Sequence, residues 1–126
     1  MEIIKSTENL TAVELYQLTK NPVREPIKNH PDEVLDIVAY AMYNDVNSKG
    51  EDIKLMSLMD KNGVVYTTNS ATAMKDMQDI LDVGIEPKKD APIAIGVRSG
   101  TSNSGRTFFG LFLAAYVDYI GEAEEV

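Results

Sequence analysis

One helical segment stands between two groups of strand-forming runs, and this order leaves few folds open. "NSATAMKDMQDILDVG", residues 69–84, starts with Asn69 and Ser70, either of which can cap a helix, and sets Met74, Met77 and Leu81 at helical spacing. Lys75, Asp76, Asp79 and Asp82 fall mostly on the outer face, and Gly84 stands where a left-handed residue ends a helix. Three runs precede it: "EVLDIVAYAMY", "IKLMSLM" and "VVYTT". The turn-rich "NDVNSKGED" and the "DKNG" turn separate them, the second with an Asn-Gly pair suited to positive φ. Two runs follow, "IAIGVRS" and "RTFFGLFLAAY", joined into a hairpin by a Thr-Ser-Asn-Ser-Gly loop.

A meander of three strands, one helix and a two-stranded hairpin is the order of the OB-fold, a five-stranded Greek-key barrel. The fold class expected is therefore mainly β, with the helix between strands three and four and a short N-terminal helix added. A first strand that pairs at both ends must be long. Simple alternation puts its Val34, Val38, Tyr40 and Met42 on one face and Leu35, Ile37, Ala39, Ala41 and Tyr43 on the other, although its composition also permits a helix. Gly96 and Gly110 fall mid-strand, where a tight barrel bends. Upstream, Thr11 and Glu14 have capping-box spacing, and the helix they begin should stop before "NPVREP". Residues 21–32, with three prolines and the single histidine, read as an extended, mobile connector. The organisation expected is an N-terminal helix and connector (1–32), an OB-fold domain (33–117) and an acidic tail (118–126) that is disordered.

Chemistry by catalysis finds little material. The chain has no cysteine, so disulfides and thiolate chemistry are excluded. His30 has no visible partner as a general base, and a solvated loop histidine is the plainer reading. No nucleophile elbow, phosphate-cradling Gly-Lys-Ser/Thr loop or His/Cys metal spacing occurs. The expectation is a non-enzyme without metal or cofactor. The N-terminus lacks the pattern of a signal peptide, and the run Phe108–Val117 is too short to span a bilayer, so the expected place is the cytoplasm, with no membrane partner.

Net charge of −8 speaks at first against a nucleic-acid partner, since affinity for phosphate comes from Lys and Arg. Its distribution says otherwise. Residues 91–117 carry Arg98 and Arg106 and no acid, and no other segment is net basic. A single nucleic-acid strand is held by cations that track phosphates and by aromatic faces on which bases stack. In an OB-fold the ligand crosses strands two and three between the first-to-second and fourth-to-fifth loops. Mapped onto this chain, that surface gathers Tyr43, Lys49, Lys54, Tyr66, Arg98, Arg106 and Phe108. Each has a plainer alternative. Tyr43 and Tyr66 can equally be barrel residues, and Lys49 and Lys54 stand near Glu51 and Asp52. Phe108 and Phe109 point to opposite faces, with Phe112 on the Phe108 side, and parity does not say which face is exposed. The arginines are harder to dismiss, because no acid lies between Asp90 and Asp118.

The stretches "NSKGEDIKLMSLMDKNGVVYTTNSATAMKDMQDIL" and "SGTSNSGRTFFGLFLA" together resemble a family of small bacteriophage single-stranded DNA-binding proteins. The likeness rests on the "SKGE" loop, the strand followed by "NG", the "TNS" entry to the helix and the late "SGTS-x-x-GR-T-F" hairpin, and spans Val34 to Ala115. It implies an OB-fold that coats single strands in phage replication or recombination without sequence preference or metal, with Lys49, Arg98 and Arg106 as contact positions. The acid-rich first strand departs from what such binding favours. The function expected is sequence-independent binding of single-stranded DNA by electrostatics and stacking. The acidic tail is then a candidate arm for replication or recombination proteins, and self-association is open. A protein-interaction OB module without direct DNA contact is the alternative, and a small hydrolase with an unrecognised carboxylate site is the third reading.

Overall fold

The computed structural model describes residues 1–114. The acidic tail and the end of the expected last strand lie outside them. The chain opens on a strand that the sequence does not announce, β1 (Glu2–Ser6). Helix α1 (Ala12–Thr19) follows, and Thr11 and Glu14 form the capping box: the Glu14 N–H donates to Thr11 Oγ1 at 3.1 Å, and the Thr11 N–H to Glu14 Oε1 at 2.9 Å. A Lys89 ammonium at 2.8 Å and the Thr11 N–H hold the Glu14 carboxyl below its ordinary pKa.

The proline-rich segment is tied down along its length, contrary to the mobile connector expected. It supplies β2 (Glu25–Pro26), which pairs in parallel with a later strand, and a 3₁₀ turn, Ile27–Asn29, whose Ile27 is buried in the core. Arg24 Nε donates to the Asn21 carbonyl at 2.8 Å and Arg24 Nη1 to the Leu18 carbonyl at 3.3 Å, so a cation sits at the C-terminal end of α1. His30 is likewise packed rather than solvated. It meets the Tyr66 ring edge-on with centroids 5.0 Å apart and lies 2.7 Å from a Glu33 oxygen.

The central strand is β3 (Val34–Val46), thirteen residues long. It pairs antiparallel along most of its length with β4 (Asp52–Asp60), and β4 pairs with β5 (Val65–Thr68). Helix α2 (Ala71–Asp82) follows, capped by Ser70 Oγ accepting from the Ala73 N–H and ended by Gly84 at φ +90°, as its spacing predicts. Then come β6 (Ile93–Thr101) and β7 (Thr107–Leu113). Strand order across the sheet is β2-β5-β4-β3-β6-β7, with β1 attached to β3. The length of β3 has a direct cause. One of its edges serves β6 at Val34–Ile37 and β1 at Ala41–Asn44.

The architecture is thus mainly β, one curled sheet with two helices, and the expected strand count is corrected from five to seven. The two extra strands come from residues 1–32, which join the sheet instead of standing apart from it. Strand alternation is corrected as well. A bulge between Ile37 and Ala39 reverses parity within β3. Leu35 and Ile37 therefore share one core with Tyr40, Met42 and the buried face of α2, whereas Val38, Ala39, Ala41 and Tyr43 form a second core with Leu18 of α1. Two apolar layers, one per sheet face, let a short chain bury both sides of its central strand. Among the described residues, no helix is long and apolar enough to cross a membrane.

Candidate nucleic-acid interface

The β6–β7 hairpin turns through Ser102–Arg106. Gly105 takes φ +82°, Ser102 N–H donates to the Arg106 carbonyl at 2.8 Å, and Ser102 Oγ accepts from the Arg106 N–H at 3.2 Å. The turn holds the Arg106 backbone and leaves its side chain exposed, outside every ion pair among the described residues.

Past the turn the register pairs Gly100 with Phe108, Arg98 with Gly110 and Gly96 with Phe112. All six lie on one face, and each large side chain is laid over a glycine of the neighbouring strand. A Cβ built on Gly96 would collide with the Phe112 ring, and one on Gly100 would stand 2.7 Å from Phe108 Cζ. At Gly110 the atoms in the way are Asp76 Oδ2 at 2.6 Å and the Arg98 guanidinium at 2.8 Å. The mid-strand glycines thus make room for rings and a guanidinium, a different use from the bending expected of them. The Arg98 Cζ lies 5.7 Å from the Phe108 ring centroid, within cation–π range. Phe112 is 39% exposed. The two rings stand four positions apart, roughly 13 Å along β7. The face therefore presents ring, guanidinium, ring in sequence.

The opposite side of the hairpin belongs to the core: Ile95, Val97 and Leu111 are buried there. Phe109 takes that side and lines a cleft of ≈ 280 Å³ against Ile27, Thr67 and Thr68. This resolves the choice left open by parity: Phe108 and Phe112 share the outer face. Helix α2 seals the free edge of β7. Ser70 Oγ donates to the Phe109 carbonyl at 3.2 Å, and Asp76 Oδ2 accepts from the Leu111 N–H at 2.9 Å. The same Asp76 oxygen accepts from Arg98 Nη2 at 3.2 Å. The acid missing from the hairpin's own sequence is thus supplied by α2.

The remaining sequence-predicted positions divide. Lys54 is exposed on β4, where it lines an open recess with Asn69, Ala71 and Met74 at the start of α2. Lys49 is exposed in the β3–β4 turn, which Asn47 Oδ1 organises by accepting from the Lys49 and Glu51 N–H groups at 2.9 and 3.0 Å. Neither lysine joins an ion pair among the described residues, whereas Lys61 pairs with Asp36 at 3.1 Å. Tyr43 and Tyr66 take the barrel reading. Tyr43 is 0% exposed, and its hydroxyl meets Arg24 and Ser57. Tyr66 is buried with its hydroxyl donating to Asp60 at 3.3 Å, and burial together with that carboxylate pushes its phenol up to about 12. Phe112 was missed as a candidate. Its signal was present as two complementary patterns, Gly-x-Arg-x-Gly at 96–100 and Phe-x-Gly-x-Phe at 108–112, which interlock once the turn is placed.

Comparison with curated proteins and with solved structures gives no match. A family model described as phage single-stranded DNA-binding protein matches residues 4–114, from β1 to the end of β7 and including the segment upstream of the earlier resemblance. With the match running over most of the chain, the protein belongs to the phage single-stranded DNA-binding protein family.

Proposed function

We propose that the chain binds single-stranded DNA, without sequence preference and without a metal or cofactor, on the outer face of the β6–β7 hairpin. The observation that carries this reading is the Phe108–Arg98–Phe112 face. Two rings with a guanidinium between them offer stacking surfaces to unpaired bases and a cation to the phosphate that joins them. Every base has a π-face, so such contacts are tolerant of sequence. A duplex keeps its bases stacked inside and has none to offer. To these we add Arg106 on the exposed turn and the exposed Lys54 and Lys49 as cations for the backbone of the strand. Tyr66 belongs to the core beneath the hairpin and Tyr43 to the second core, and in this reading neither touches the strand.

In this reading β3, β4, β5, α2, β6 and β7 form an OB-type barrel that β1 and β2 extend. Membership of the phage single-stranded DNA-binding protein family supports this reading, and coating single strands during replication or recombination is the role we assign. The test is fluorescence anisotropy of a labelled dT oligonucleotide at several salt concentrations, with a duplex control. Phe112→Ala should cost about 1–3 kcal/mol of binding, the range for one stacked base. Arg106→Ala should lower the salt slope by about 0.7. Wild-type affinity in both variants would overturn the proposal.

A further inference from the structure

Arg98 is the cation at the centre of the proposed face, yet it is also the partner of a carboxylate. Two consequences are open. Asp76 either competes with phosphate for the guanidinium or holds the guanidinium where phosphate can use it, and the geometry separates them. A guanidinium carries five N–H donors. Asp76 accepts from Nη2 with one oxygen only, and among the described residues Arg98 has no other hydrogen-bond partner. The carboxylate is not a loose counter-ion, because the same oxygen is fixed by the Leu111 backbone N–H at 2.9 Å. Asp76 is the more enclosed of the pair, its side chain 19% exposed against 45% for Arg98. The acid thus lies on the α2 side of the guanidinium, and the other four donors have no protein partner among the described residues. Gly110 completes the seat, since a Cβ there would collide with both groups at 2.6–2.8 Å.

We infer that Asp76 and Gly110 are positioning residues for Arg98: they hold its guanidinium flat across β7 between Phe108 and Phe112, prepared to meet a phosphate. This rests on the hairpin-face reading above. A long side chain already held in its binding geometry loses less freedom when the strand arrives. The sign of the effect is unusual. Removing the acid makes the protein less negative, from −8 to −7, which by attraction alone should tighten binding to DNA. Positioning demands the reverse.

The experiment is a cycle of Asp76→Asn, Arg98→Ala and the double variant, titrated with labelled dT oligonucleotide at several salt concentrations, with melting followed on each. The asparagine retains an oxygen for the Leu111 N–H. Asp76→Asn should weaken binding about three- to tenfold, the range for immobilising one flexible side chain. In the Arg98→Ala background it should not weaken binding. Gly110→Ala, which displaces the guanidinium and retains the acid, should show the same dependence on Arg98. Tighter binding by Asp76→Asn with a steeper salt slope would make Asp76 a competitor and overturn the inference. Equal weakening with and without Arg98 would reduce it to general support of the fold and overturn it too. Wild-type affinity in Arg98→Ala, with Phe112→Ala still impaired, would remove Arg98 from the interface and leave the stacking face standing. Indifference to both substitutions would sink the face itself.

Discussion

Tyr43→Phe removes one oxygen from the second core and separates a core tyrosine from a stacking one. The hydroxyl accepts from Arg24 Nη1, exchanges a hydrogen bond with Ser57 Oγ at 3.1 Å and lies 3.4 Å from the Leu18 carbonyl. It is the knot between β3, β4, α1 and the proline-rich segment. Without it Arg24 retains the Asn21 and Leu18 carbonyls, and Ser57 retains Thr67 Oγ1 at 3.3 Å, so neither group is stranded. A bond to a charged donor contributes about 1.5–3 kcal/mol and a neutral one about 1, and partial compensation puts the loss near 2 kcal/mol. For a chain of this size that lowers Tm by about 6–10 °C. Urea and thermal denaturation followed by circular dichroism give the stability, and oligonucleotide anisotropy gives the binding. The urea midpoint should fall with its slope unchanged, while affinity, measured where the variant is fully folded, stays at the wild-type value. Unaltered stability, or weakened DNA binding in a fully folded variant, would refute the assignment of Tyr43 to the core.

Gly96→Ala should separate stability from binding in the opposite direction. The new Cβ expels the Phe112 ring, whose burial contributes about 1–2 kcal/mol at this partly exposed site, and the alanine recovers about 0.5–1 kcal/mol through the unfolded chain. A nearly native melting curve with single-strand affinity as weak as that of Phe112→Ala is expected, and wild-type affinity would mean that the ring over Gly96 does not stack. Alkaline titration tests the first core. Burial pushes the phenols of both Tyr40 and Tyr66 up to about 12, with Glu86 and Glu8 adding to it for Tyr40 and Asp60 for Tyr66. Their raised values contribute stability that is complete below pH about 10 and is lost as pH rises toward 12, because the unfolded phenols ionise first. Tyrosinate absorbance should show a late-ionising fraction, from Tyr40 and Tyr66, that appears together with loss of structure. A native fold with no late-ionising fraction would contradict the packing.

The elements legible in the sequence each carry a local cause: the Thr11–Glu14 box of α1, the Ser70 cap and Gly84 stop of α2, and the "DKNG" turn, where Gly63 takes φ +85°. What was not legible depends on contacts far apart in sequence. β1 exists because β3 has an edge that β6 leaves unpaired, and nothing within Glu2–Ser6 states that. β2 is two residues long and reads as a proline-rich linker until Ile27 finds its place in the core. The bulge in β3 inserts one residue into an unbroken apolar run, and alternation has no polar residue there against which to notice the slip.

The candidate site divides along the same line and explains how so acidic a chain can serve a polyanion. Counting charges along the sequence gives the hairpin two free arginines, but the fold brings α2 against β7 and delivers a carboxylate to one of them from 22 residues away. The carboxylate lowers the net charge of the face but takes only one of the guanidinium's donors, so in the reading proposed above it seats Arg98 for phosphate. Stacking is untouched by that neutralisation, since the attraction of a base for a ring does not depend on the net charge of the chain. The sequence invests accordingly: it gives up three side chains, at Gly96, Gly100 and Gly110, to lay two rings and one guanidinium flat on an exposed sheet face. A surface of that kind should retain more of its affinity at raised salt than one built from lysines, with Arg98 and Arg106 carrying the salt dependence that remains.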